Sequence, residues 1–71
     1  MSLFIARVFT LEALVKRLDD CKIGQWLDGR KLAEEIKLPL PVVAASFQIY
    51  ESKGYGICSA EVGAVRYCGT A

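Results

Sequence analysis

Residues 28–55 read DGRKLAEEIKLPLPVVAASFQIYESKGY, and most of the fold prediction rests on them. It predicts a helix that begins after Asp28, because an aspartate side chain can cap the free backbone amides of a first turn. The buried stripe of this helix falls at helical spacing and consists of Leu32, Ala33 and Ile36. Residues 37–41 form a turn, because their two closely spaced prolines exclude a continuous helix.

A second helix of this stretch is predicted from Pro41 to Ser52. Proline suits the first turn of a helix, and Gly54 ends it because glycine readily adopts positive φ. Its core stripe consists of Val43, Phe47 and Tyr50. Its outward positions are Val42, Ala45, Ser46, Gln48 and Ile49.

After Gly54 the hydrophobic period changes from 3.6 to 2 residues, which predicts a hairpin. The two short strands are residues 55–59 and 65–68, and Gly63 is the expected positive-φ residue between them. If the connection centres on Gly63, Cys58 and Cys68 face each other. A register shifted by one residue places them on opposite faces.

A further helix is predicted ahead of this stretch, from Thr10 to about residue 21. Thr10 is interpreted as its cap. The apolar stripe consists of Leu11, Leu14, Val15 and Leu18. The apolar segment Leu3–Phe9 leaves three readings open: a strand, an extension of the first helix, or an arm that packs on a partner chain. Trp26 lies in a connection long enough for one short strand and is interpreted as a core anchor under the hairpin.

These elements predict one α+β domain over residues 1–71, with three helices and a C-terminal two-stranded hairpin. It divides into an N-terminal arm or strand (1–9), a helical part (10–54) and the hairpin (55–69). The predicted core consists of Leu14, Leu18, Leu32, Ile36, Val43, Phe47 and Tyr50.

Composition narrows the classes of function. The 71 residues carry 9 Lys and Arg against 8 Asp and Glu, and 54% are apolar, which excludes a disordered tail or a histone-like polycation. The chain has no histidine, the commonest general base and metal ligand. Without a nucleophile and base set, we expect no enzyme activity, no cofactor, no metal and no small-molecule substrate. Three cysteines without a CxxC pair, no signal peptide and no membrane span predict free thiols in the cytoplasm.

The spacing of these segments is similar to that of a winged helix-turn-helix domain. The residues that carry the resemblance are Leu32–Ile36, the turn ending at Pro41, the Val43/Phe47/Tyr50 stripe and Lys53–Tyr55. A narrower likeness, through Trp26, Ala45–Ile49 and Ile57–Cys58, is to the small enterobacterial activators of the carnitine-operon type, which are longer than this chain. The resemblance implies a DNA-binding transcriptional regulator whose third helix enters the major groove and whose hairpin is the wing.

Carried over by position, the resemblance implies a set of contacts to double-stranded DNA. Gly29, Arg30 and Lys31 lie in the first turn of the second helix, where their free amides and the two cations would form a phosphate site. The other implied contacts are Lys37 in the turn, Ser46 and Gln48 on the third helix, Lys53 at its end and Arg66 on the wing. Because one chain offers few phosphate contacts, we expect a homodimer.

An alternative stays open because Val42, Ala45 and Ile49 form an apolar stripe on the outward face of the third helix. Exposed apolar stripes usually mark protein contacts. In this second reading the domain is a winged-helix interaction module. Its third helix then binds a protein partner or a second copy instead of DNA.

Overall fold

The computed structural model describes residues 3–61 and 64–70 of the chain. Its elements are α1 (Leu3–Asp19), β1 (Trp26–Asp28), α2 (Gly29–Ile36), α3 (Leu40–Ser52), β2 (Gly56–Glu61) and β3 (Ala64–Gly69). The strands form one antiparallel sheet in the order β1–β3–β2. The fold is therefore α+β, with three helices and a three-stranded sheet. The sequence predicts a two-stranded hairpin. The structure has a third strand in the same sheet, because β1, the short strand before α2, pairs with β3.

Helix α1 begins much earlier than predicted, at Leu3. Thr10 lies inside the helix, so its interpretation as the cap is wrong. Of the three readings left open for Leu3–Phe9, the structure shows the extension of the first helix rather than a strand or an arm. No glycine or proline interrupts the leading segment, so nothing in it stops the helix from propagating. Leu14 and Leu18 are buried, whereas Leu11 and Val15 are 44% and 46% exposed. Only half of the predicted stripe therefore contacts the core.

The boundaries of α2 and α3 follow the predicted signals closely. Oδ1 of Asp28 accepts hydrogen bonds from the backbone N–H groups of Arg30 (2.9 Å) and Lys31 (3.3 Å), which confirms the cap. Helix α2 ends at Ile36, and the next residue, Lys37, caps it with a left-handed φ of 58°. Helix α3 carries a proline in its first turn and is followed by Gly54 at a φ of 81°.

The register of the hairpin decides which side chains share a face. Ile57 is paired with Cys68, and Cys58 with Tyr67. Because successive residues of a strand alternate between faces, Cys58 and Cys68 lie on opposite faces, and both thiols are free. Of the two registers that the sequence leaves open, the structure has the one shifted by one residue. The predicted positive φ of Gly63 falls outside the described residues.

The core lies between the three helices and the inner face of the sheet. It consists of Leu14, Leu18, Leu27, Leu32, Ala33, Val43, Phe47 and Tyr67. Five predicted core residues are buried in this cluster, and Ile36 and Tyr50 pack against it partly buried. Tyr67 stacks on Phe47 with ring centroids 5.5 Å apart. No helix in the described part of the chain is long and apolar enough to cross a membrane.

Trp26 is not the core anchor that the sequence predicted. It is 49% exposed. Its neighbour Leu27 is buried instead, because β1 alternates and only one of two adjacent residues can face the helices. Trp26 therefore lies on the outer face of the sheet.

Candidate nucleic-acid interface

The outward face of α3 is open to solvent. Ala45, Gln48 and Ile49 are exposed, with Ile49 at 52%, while Val42 and Ser46 are half-buried. The helix has 13 residues and is therefore about 20 Å long. Its only charged residue is Glu51 in the last turn. The outward face of α3 is therefore exposed and carries no charged residue.

The two polar side chains predicted to read bases differ in their surroundings. The Ser46 hydroxyl donates a 3.0 Å hydrogen bond to the backbone carbonyl of Val42 one turn earlier, so its donor is engaged within the helix. Gln48 is exposed and has no hydrogen-bond partner among the described residues. Gln48 is therefore the group on this face with both donors and an acceptor available.

Two lysines flank the uncharged face at its ends. Lys37 lies in the turn before α3 and Lys53 directly after its last residue, and both side chains are exposed. Neither lies within ion-pair distance of a carboxylate in the described part of the chain. Their charges are therefore available to an external anion.

Most basic side chains in the described residues likewise form no ion pair. Only Arg17 forms an ion pair, at 2.7 Å to Glu35. The cations with no such partner are Lys16, Lys22, Arg30, Lys31, Lys37, Lys53 and Arg66. By contrast, several carboxylates accept internal hydrogen bonds: Asp19 from Tyr50, Asp28 from the α2 amides, and Glu51 from the backbone N–H of Cys58 at 2.8 Å.

The start of α2 departs from the expected phosphate site. The amides of Arg30 and Lys31 are not free, because both donate to the Asp28 carboxylate. The prediction that the amides of Arg30 and Lys31 are free to bind a phosphate is therefore wrong. The two side chains are nevertheless exposed, so only their charges can contribute there.

Arg66 belongs to the same neighbourhood. It lies opposite Asp28 in the pairing of β1 with β3, which brings it beside Arg30 and Lys31 at the start of α2. Its guanidinium carbon lies 5.2 Å from the centre of the Trp26 ring, which is within the range of a cation–π contact. Sequence analysis does not predict the contact between Arg66 and Trp26, because it assigns Trp26 to the core. The alternation of β1 could have predicted it, since Leu27 is buried and its neighbour Trp26 must then face outward.

A pocket of about 400 Å³ that is open to solvent lies between the end of α1 and the last turns of α3, lined by Leu18, Asp19, Cys21, Tyr50, Tyr55 and Tyr67. Burial, the hydrogen bond to Asp19 and the charge of that carboxylate raise the pKa of Tyr50 to about 12. Near it, burial and the charge of Glu51 raise the pKa of the Cys58 thiol. Both groups are therefore protonated near neutral pH.

The predicted contacts thus fall into two groups. Lys37, Ser46, Gln48 and Lys53 lie on or beside α3, and Arg30, Lys31 and Arg66 surround Asp28. No group of metal-ligating side chains occurs among the described residues. No protein-family model matches the chain, and no curated protein or solved structure matches it either.

Proposed function

We propose that this chain is a winged helix-turn-helix protein that binds double-stranded DNA, regulates transcription and uses α3 as its recognition helix. The arrangement of α2, a short turn and α3, followed by a hairpin, supports this proposal. Strand β1 pairs with β3 of the hairpin and directly precedes α2, so it connects the hairpin to the start of that helix. The wing is then part of a sheet rather than a free ribbon.

The observation that carries the proposal is the exposed, uncharged face of α3 between Lys37 and Lys53. The major groove of B-DNA is about 12 Å wide and admits one α-helix, with phosphates along both walls. The groove width matches the helix diameter of about 10–12 Å, so α3, which is about 20 Å long, would lie along the groove with its ends close to the phosphates of the walls. Lysines at those ends can neutralise phosphates, while the uncharged middle contacts base edges.

The side chains on this face favour contact with A·T pairs. The Gln48 amide can donate to N7 and accept from N6 of adenine in a bidentate pair, which contributes about 1–3 kcal/mol of discrimination. Ala45 can pack on a thymine methyl group. With one amide per chain, specificity needs a second half-site. We therefore propose that two copies bind as a dimer on a two-fold symmetric sequence.

A binding measurement with matched charge variants tests the proposal. A labelled duplex of about 20 base pairs is titrated at salt concentrations of about 50 and 200 mM, and binding is followed by fluorescence anisotropy. The double variant K37Q/K53Q should bind about ten-fold more weakly than the wild type at the lower salt. The variant K16Q/K22Q removes the same charge elsewhere and should bind like the wild type. No binding by the wild type at low salt would contradict the proposal.

A second candidate is a protein-interaction module, favoured by the exposure of Ile49 beside Ala45. In that case I49K should abolish self-association or partner binding. If α3 binds DNA, I49K should leave the oligomeric state unchanged. Sedimentation velocity of the wild type and I49K, with and without duplex, separates the two candidates.

A further inference from the structure

The outer face of the sheet carries a cation that α3 does not use. Trp26 is paired with Cys68 and Asp28 with Arg66, so Trp26 and Arg66 are diagonal neighbours on this face. The Arg66 guanidinium lies over the half-exposed indole, 5.2 Å from its centre. The stack restricts a long side chain that would otherwise be mobile.

The acidic residue that faces Arg66 does not neutralise it. Asp28 lies directly opposite in the ladder, but its carboxylate accepts from the two α2 amides. Arg66 forms no ion pair or side-chain hydrogen bond with any described residue. Its N–H donors, five in every arginine, are therefore available to an external acceptor.

The cations around this stack belong to the same rigid unit as α3. A Cβ atom at Gly29 would lie 2.8 Å from the Val65 carbonyl oxygen and 3.0 Å from Cε2 of Phe47. The start of α2 is therefore packed directly on β3 and on α3. Arg30 and Lys31 follow Gly29, and Arg66 follows Val65, so all three cations are held at this junction.

We propose that Trp26 is a positioning residue that holds Arg66 ready to bind a phosphodiester of duplex DNA, with Arg30 and Lys31 beside it. This inference rests on the proposed function. A guanidinium fits a phosphate through two parallel N–H···O bonds, and stacking on an aromatic ring fixes its plane in advance. A duplex also presents phosphates at regular intervals, which suits three cations on one rigid junction better than an isolated carboxylate does.

The chain provides its own reporter for this contact, because Trp26 is its only tryptophan. When a phosphate binds the guanidinium that lies over the ring, the surroundings of the indole change. Emission from Trp26, titrated with unlabelled duplex, should therefore change in parallel with the anisotropy of a labelled duplex. In R66Q, binding through α3 should persist while the emission change is lost.

Affinity measurements separate positioning from charge. R66Q should weaken duplex binding about three- to ten-fold and lower the salt slope by about one. W26L should weaken binding to a similar extent although it removes no charge, and R66Q/W26L should be no weaker than R66Q alone. R66K keeps the charge without the planar fork and should bind between the wild type and R66Q. K22Q serves as the matched control and should bind like the wild type.

Each outcome decides the inference. If the wild type binds duplex and W26L binds equally tightly with the same salt slope, Trp26 does not position Arg66 and the inference is overturned, while the proposed function stands. If Trp26 emission changes on addition of poly-glutamate but not of duplex, the outer face of the sheet binds an acidic protein instead of DNA. A wild type that binds no duplex would remove the proposed function and this inference with it.

Discussion

The Tyr50 hydroxyl donates a 2.6 Å hydrogen bond to Oδ1 of Asp19, which joins the end of α1 to the last turns of α3 from the inner side. Tyr50 also packs edge-on against Tyr55 and Tyr67, at centroid distances of 5.5 and 6.1 Å. These contacts hold α3 to the rest of the molecule while its outer face stays free. They lead to two predictions about stability.

Replacing Tyr50 by phenylalanine removes the hydrogen bond and keeps the ring. We expect Y50F to lower the free energy of unfolding by about 1 kcal/mol, measured by urea denaturation. D19N should cost less, because its amide oxygen still accepts the hydrogen bond. Equal stability of Y50F and the wild type would show that this bond does not hold α3.

The same contact predicts loss of stability at alkaline pH. The folded protein keeps Tyr50 protonated up to a pKa of about 12, mainly through burial and the bond to Asp19, whereas an unperturbed tyrosine titrates at 10.0. The unfolded chain therefore loses a proton that the folded chain retains, so the free energy of unfolding should fall as the pH rises from about 10 to 12. Y50F should show a shallower decline over this interval.

Replacing Lys37 by glycine should raise stability and weaken duplex binding. Lys37 adopts a left-handed φ of 58°, which costs a residue with a Cβ about 1 kcal/mol and costs glycine little. K37G should therefore raise the melting temperature while it weakens duplex binding, since the charge is lost. K37Q should weaken binding equally without the gain in stability. If K37G proves less stable than K37Q, the cap geometry described for α2 is wrong.

Two substitutions of Asp28 should separate its effect on stability from its effect on duplex binding. D28N keeps a capping oxygen, so its stability should stay close to that of the wild type. It also removes a negative charge beside Arg30, Lys31 and Arg66, so its duplex affinity should rise at low salt. D28A should lose about 1 kcal/mol of stability with the cap. Weaker duplex binding by D28N than by the wild type would argue against a phosphate at this junction.

The sequence predicted α2 and α3 well because their boundaries are local. An aspartate cap, a proline turn and Gly54 each act on neighbouring backbone atoms. The position of Trp26 and the hairpin register were not predictable in this way. A shift of one residue exchanges every side chain between the two faces, and the observed register is the one that packs Tyr67 against Phe47. The start of α1 was misplaced because Thr10 suits a cap but also continues a helix.

The candidate site was predicted in part for the same reason. Exposure of Ala45, Gln48 and Ile49 follows from helical spacing alone. The loss of free amides at the start of α2 and the stack of Arg66 on Trp26 depend on which partners the fold brings together. Neither is visible in the spacing of one segment.

The salt dependence of duplex binding by the wild-type chain is the sharpest test of DNA binding through α3 and its flanking cations. If the five cations at Arg30, Lys31, Lys37, Lys53 and Arg66 each neutralise a phosphate, a plot of log K against log salt should be linear with a slope of about −4.5 per chain. In K37Q/K53Q the slope should fall to about −2.7. A slope near zero for the wild type, or the same slope for both proteins, would contradict an α3 bound in the major groove between these lysines.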